Sequence, residues 1–188
     1  MNHSAELTDD TSLVAAALAG CSSAFTELFQ RHYPQIHAFA FRLTLCPAEA
    51  ADIAQDTFIQ AARSLGTFRQ ESSFKNWLYT IATHKSRDRY RQKVRRDHLA
   101  EKWAAAQDEV SPTANGLTTE AERIQAALRT LSPDLRAAVT LVYYQGLSHA
   151  AAAQVLNCAE TTVSWRIFRA KQKLKHHLRH FAVGVSHD

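Results

Sequence analysis

The strongest constraint in this sequence is the spacing of its apolar residues. Over most of the chain they recur at i, i+3, i+4 and i+7, the period that lays one stripe along an α-helix. Phe74, Trp77, Leu78 and Ile81 form one such set, and Phe25, Leu28 and Phe29 run on to Ile36, Phe39, Ala40 and Leu43 in another. The alternation that half-buried strands need is absent. Only 5 glycines and 4 prolines serve 188 residues, too few for a turn-rich sandwich or barrel. With 46% apolar and 21% charged residues the chain can bury a core, and no run approaches the ~20 apolar residues of a membrane span. An all-α fold is expected.

Boundary signals divide the chain into two small helical domains. Leu13, Val14, Ala17 and Leu18 give a short first helix closed by Gly20, and Ser22 or Ser23 can cap the second, in which Pro34 predicts a kink or break. Pro47 suits the first turn of a third helix over residues 48–64, ended by Gly66, and Ser72 or Ser73 can cap a fourth. From Asp97 the periodicity fades, and Ser111-Pro112-Thr113-Ala114-Asn115-Gly116 reads as flexible linker. Helices resume near Glu120. Ser132-Pro133-Asp134 opens a helix carrying Leu135, Val139, Val142 and Tyr143 and closed by Gly146. The expected division is residues 1–96, a linker over 97–119, and residues 120–188.

Charge is segregated along the chain. The formal net charge is +4, yet residues 1–60 carry −5, residues 61–102 carry +7, residues 103–135 carry −3 and residues 136–188 carry +5. Two basic blocks suit two contacts with a polyanion, and the acidic stretches leave a surface for a different partner.

The last block has the form of a helix-turn-helix. Ser148 caps a short alanine-rich helix ending at Leu156, Asn157 can take the left-handed conformation, and a long helix starts at Glu160. In that motif the second helix enters the major groove. Its outward residues here are Thr161, Thr162, Ser164, Trp165, Arg166, Arg169 and Lys171, with Val163, Ile167, Ala170 and Leu174 turned inward.

Leu131-Ser132-Pro133, Arg136, Gly146-Leu147-Ser148, Thr162-Val163, Arg166-Ile167, Arg169-Ala170 and Leu174 resemble region 4 of bacterial extracytoplasmic-function (ECF) sigma factors. Asp52-Ile53-Ala54-Gln55-Asp56-Thr57-Phe58 resembles region 2 of the same family, where this helix docks on the clamp of core RNA polymerase. The resemblance assigns core binding to Asp52, Gln55, Asp56 and Phe58. Asp52 and Asp56 are like charges at i, i+4 with no basic residue at helical spacing. The stretch from Gly66 to Leu78 is similar to the loop and helix that melt and read the −10 promoter element. Phe68, Arg69, Glu71 and Ser72 could line a pocket for an extruded base, while Phe74 and Trp77 sit on the apolar stripe and are expected in the core. Seven of the twelve residues 85–96 are basic. His84, Lys85, Arg87 and Arg91 complete the −10 contacts implied, and the region 4 set above would read the −35 element.

The resemblance covers roughly residues 11–96 and 120–178. It implies an alternative sigma factor that binds the clamp and flap regions of core RNA polymerase, directs it to duplex promoter DNA and helps open a single-stranded segment. A cognate anti-sigma factor is also implied. Departures from the family pattern are His84 for a frequent asparagine, Ala150 and Ala151 for an acidic pair, Thr161 for a glycine, and Trp165 for a smaller or basic residue. Cys21 stands where an acid is usual and, with no basic neighbour to activate it, is expected to be buried and inert.

A free-standing helix-turn-helix regulator on duplex operators is the alternative, although it needs neither the acidic face at Asp52 nor the loop at Phe68. No phosphate-binding glycine loop, nucleophile elbow or zinc-protease motif occurs, so no enzyme and no cofactor is expected. His176 and His180 share a helix face but lack a third ligand in sequence, so no metal is expected. Residues 1–10 lack a basic-then-apolar leader, and the three cysteines are far apart. A cytoplasmic protein without direct membrane insertion is therefore expected.

Overall fold

A computed structural model describes residues 9–103 and 119–183, with side-chain surroundings for residues 9–97, 119 and 122–177. The expected linker stretch 111–116 and residue 187 lie outside what is described, as do the side-chain surroundings of residue 180. Among the described residues every regular element is helical, and no helix is long and apolar enough to cross a membrane. The chain divides into two compact units, residues 1–86 and 87–188.

The first unit holds α1 (Asp10–Leu18), α2 (Ser22–Thr44), α3 (Pro47–Ser64) and the start of α4 (Phe74–Trp103). α1 and α3 both pack on α2, around Val14, Leu28, Ile36, Phe39 and Ile53, all fully buried or nearly so, and Tyr79. Burial drives the Tyr79 phenol up to about 12. Pro34 sits within an unbroken α2. Its ring faces solvent while His32 and Ile36 on either side are buried, and that burial offsets the hydrogen bond the proline cannot make. Neither Ser22 nor Ser23 caps this helix. The N-cap is Cys21, with no side-chain cap, and its thiol is exposed, contrary to expectation. Sγ lies 3.2 Å from the Ser23 hydroxyl, whose hydrogen bond lowers the thiol pKa.

An ionic cluster ties α1 to α2. Asp10 accepts hydrogen bonds from Arg31 at 3.0 Å and bonds His32 Nε2 at 2.8 Å. His32 is buried, and its ring meets Phe74 edge-on at 5.6 Å. Desolvation lowers the His32 pKa despite the opposing pull of Asp10.

After Ser64 a single 3-10 turn over Leu65–Thr67 leads into the loop before α4. Ser73 is the serine that caps α4, accepting from the Asn76 N–H at 3.2 Å. α4 is continuous to Trp103, past the point where sequence periodicity fades.

In the second unit, α5 (Glu120–Arg129) opens with a reciprocal capping box between Thr119 and Glu122. α6 (Pro133–Val139) has the expected first-turn proline and then widens into a π-turn over Thr140–Tyr144, closed by the Gln145 N–H to the Thr140 carbonyl at 3.1 Å. The wider turn rotates the following side chains outward. Tyr143, expected on the apolar stripe, is 54% exposed. α7 (His149–Leu156) and α8 (Glu160–Val183) follow, and α5, α6 and α7 each pack on α8.

Candidate nucleic-acid interface

Three surfaces carry the residues singled out above. The first is one face of α3. Asp52 and Gln55 are exposed and Asp56 is half-buried, while Ile53, Ala54, Thr57 and Ala61 face the core. Phe58 is not on that outer face. It is 4% exposed, with its ring 4.9 Å from Phe29 and 6.1 Å from Tyr33, so it supports the helix rather than offering a contact. The residue that extends the outer face is Ile59, at i+7 from Asp52 and 51% exposed. Helical phase already implied this exchange, because Phe58 falls in line with Ile53, Ala54 and Ala61.

The second surface follows the 3-10 turn. Phe68 is half-buried, its ring 5.0 Å from Trp77 and edge-on to Phe74 at 5.8 Å. Phe74 is buried as expected, but Trp77 is only half-buried, so Phe68 and Trp77 together present an aromatic platform. Arg69 and Glu71 are exposed beside it and Ser72 is half-buried; Gln70 takes a positive φ of 57° that turns the loop. His84 lies on α4 two turns beyond Trp77, on the same face and exposed, with Lys85 half-buried next to it. Further along α4, Arg87 is half-buried, pairing with Asp134 at 3.0 Å and donating to the Leu156 carbonyl at 3.4 Å, and Arg91 is exposed and 3.5 Å from Asp88.

The third surface is the helix-turn-helix. Ser148 Oγ caps α7 by accepting from the Ala151 N–H at 3.1 Å. Asn157 adopts the left-handed conformation at φ 49°, ψ 56°. Ala152 and Ala153, both buried, let α7 lie close against α8. Val163, Ile167 and Ala170 seat α8 on the core, and Leu174 is half-buried. Thr161, Ser164, Trp165 and Arg169 are exposed together, with the Arg169 guanidinium 5.9 Å from the Trp165 ring centroid. Phe168, absent from the expected set, joins them at 58% exposure.

Three expected members stand apart from this face. Thr162 is half-buried. Arg166 has only 14% of its side chain exposed, pairing with Asp134 at 3.5 Å and donating to Cys158 Sγ at 3.7 Å. Lys171 lies on the flank of α8, its ammonium 5.5 Å from the Tyr143 ring centroid. There it borders a groove of about 340 Å³ lined by Ile124, Leu128, Val139, Tyr143, Tyr144 and Leu174. The arrangement offers an outward face of aromatic, hydroxyl and guanidinium groups, suited to base edges and phosphates.

The Sigma-70 region 2 family model matches residues 28–96, and the Sigma-70 region 4 model matches residues 121–174. The chain is similar to the ECF RNA polymerase sigma factor SigM of Mycobacterium tuberculosis, at 37% identity over 94% of this chain and 88% of that protein. It is also similar to the RNA polymerase sigma-H factor of Pseudomonas aeruginosa, at 34% identity over 88% and 91%. Among solved structures, the sigma factor RpoE in complex with the anti-sigma factor NepR from Bartonella quintana matches with a TM-score of 0.68 and 28% identity, over 82% of this chain and 96% of that one. CnrH in complex with the cytosolic domain of CnrY matches with a TM-score of 0.68 and 29% identity, over 91% and 97%. Both helical units are thus accounted for, in order, and the chain belongs to the ECF group of the sigma-70 family of RNA polymerase sigma factors.

Proposed function

We propose that this sigma factor works through three surfaces, each with its own partner. As an alternative sigma factor it binds core RNA polymerase, directs it to particular promoters and assists strand opening. In the proposed division residues 1–96 act as region 2, residues 97–119 link, and residues 120–188 act as region 4. Asp52, Gln55 and Asp56, extended by Ile59, dock on the polymerase clamp, an acidic and amide face around one apolar anchor. Phe68 and Trp77 stack an unpaired −10 base whose edge Arg69, Glu71, Ser72 or His84 reads, while Lys85 and Arg91 follow phosphates and Arg87, paired with Asp134, holds α4 in place. Thr161, Ser164, Trp165, Phe168 and Arg169 read the −35 element, with Thr162, Arg166 and Lys171 holding the helix.

The observation that carries this reading is the presence on one chain of both surfaces: an exposed acidic–apolar face on α3 and an exposed aromatic–basic face on α8. A duplex-operator regulator has use for only the second. The groove bordered by Tyr143 and Tyr144 is assigned to the polymerase flap, since its lining is apolar. Catalysis belongs to core polymerase, and this chain supplies recognition. A cognate anti-sigma factor, comparable to the partners of RpoE and CnrH, would hold it inactive in the cytoplasm, near the membrane where that partner is anchored.

In vitro transcription on fragmented genomic DNA tests the proposal. Bacterial core polymerase plus this protein should give new RNA 5′ ends sharing two spaced upstream motifs. An absence of new starts, together with tight salt-sensitive binding to intact duplex, would favour the regulator instead.

A further inference from the structure

Among the described residues of the helix-turn-helix, a polar contact joins the two helices at the outward face. His149, the first residue of α7, places Nδ1 2.9 Å from the hydroxyl oxygen of Ser164 on α8. His149 is half-buried and Ser164 is exposed. The position of His149 is fixed from behind, because Ser148 caps the same helix end through the Ala151 N–H. Ser164 lies between Thr161 and Phe168 on the outward face, one residue before Trp165, so its hydroxyl is presented where a base edge would be.

A free serine hydroxyl is a poor discriminator, since it donates or accepts and so serves any base. A hydroxyl already bonded to a fixed partner is different. If Nδ1 accepts the serine proton, only oxygen lone pairs face outward, and these suit the amino donors of adenine or cytosine. If Nδ1 carries the proton and donates it to the serine oxygen, the O–H points outward and suits the acceptors of guanine or thymine. Only the first arrangement removes one polarity, because in the second the oxygen keeps its O–H and one lone pair and can still serve either class.

We propose that His149 is a specificity-determining positioning residue: with Nδ1 as the acceptor, its hydrogen bond to Ser164 holds that hydroxyl as an acceptor and hence favours an amino donor of adenine or cytosine at one position of the upstream element. His149 acts through Ser164 and need not touch the base. The inference rests on the assignment of α8 as the −35 reader and adds to it a residue from the other helix.

The test is holoenzyme transcription from a promoter library randomised across the upstream element, using full-length wild-type protein and the variants His149→Phe, His149→Gln, Ser164→Ala and Arg169→Ala. Wild type should favour adenine or cytosine by about threefold to tenfold at one position, the discrimination one neutral hydrogen bond provides. Ser164→Ala and His149→Phe should both flatten that position and leave the others selective. His149→Gln, which can again bond the hydroxyl, should restore discrimination there, which a simple loss of packing would not. The proposal is overturned if His149→Phe keeps the preference that Ser164→Ala removes. It is equally overturned if His149→Phe erodes every position and Gln does not rescue, or if Ser164→Ala changes nothing while Arg169→Ala does. Unchanged upstream selection in both Ser164→Ala and Arg169→Ala would instead refute α8 as the reader.

Discussion

Phe58 and Ile59 are neighbours on α3 that should fail in opposite ways when truncated to alanine. Phe58 is 4% exposed and packs edge-on against Phe29 at 4.9 Å. Removing such a side chain deletes its transfer energy and leaves a cavity, together about 3–5 kcal/mol, a large share of the ~5–15 kcal/mol that holds a domain folded. Ile59 is 51% exposed, so its loss should lower stability by about 1 kcal/mol or less. Docking would bury the exposed half. Full burial of an isoleucine contributes roughly 1.5–3 kcal/mol, so half contributes about 0.8–1.5 kcal/mol, a Kd weakened roughly fourfold to twelvefold. Thermal unfolding by circular dichroism and fluorescence titration with core polymerase, run well below each midpoint, separate the two effects. Phe58→Ala should lose stability but bind nearly normally while folded, and Ile59→Ala the reverse. Wild-type affinity in Ile59→Ala, or weakened binding by a Phe58→Ala protein with an unchanged midpoint, would refute the assignment of the face.

Asp52→Arg combined with Asp56→Arg should weaken core binding at least as much as Ile59→Ala without unfolding the chain; a native pull-down with unchanged recovery would count against the clamp assignment. Arg169→Ala should reduce use of promoters that need the upstream element and lower the salt slope of DNA binding, whereas Arg166→Ala, which removes one of the two guanidinium partners of Asp134 and the donor to Cys158, should act mainly by lowering the unfolding midpoint. The lowered His32 pKa means the unfolded chain takes up a proton near pH 6.5 that the folded chain still refuses, so stability should fall as pH drops from about 7.5 to about 5.5. His32→Gln should flatten that dependence in urea titrations, and a wild-type protein more stable at the acid end would reverse the sign. Asn157→Ala should destabilise by about 1 kcal/mol because alanine resists a φ of 49°, while Asn157→Gly should be close to neutral by the same measurement.

The helices were legible in the sequence because each buries one stripe, and stripes are visible as spacing. Caps were legible where a serine side chain makes the bond, as at Ser73 and Ser148. What escaped was decided by tertiary packing. Pro34 should interrupt a helix on local grounds, yet α2 runs through it because the residues around it are buried. The π-turn at Thr140 has no local signature in an apolar run, and Tyr143, which lies within it, is on the surface rather than in the core. Cys21 follows a glycine at φ 93° that turns the chain outward, and nothing in its own neighbours announces that exposure. Among the site residues, resemblance marks the segment, but a motif does not sort its residues by face, and it takes the helical phase of Ile53, Ala54 and Ala61 to place Phe58 inside.

The same reasoning limits what the basic residues of α8 can be asked to do. Arg166, Arg169 and Lys171 look equivalent in the sequence, and all three count towards the charge of the second block. On the helix they point in different directions, about 100° per residue apart. Arg166 is drawn to Asp134, Lys171 to the ring of Tyr143, and Arg169 stays outward over Trp165. The two flanking cations thus pin the rotation of α8 about its own axis, which Val163, Ile167 and Ala170 fix from below. A reader of base edges needs that rotation set more closely than it needs two further phosphate contacts, because a small roll of the helix would carry Ser164 and Arg169 together away from the positions proposed for them.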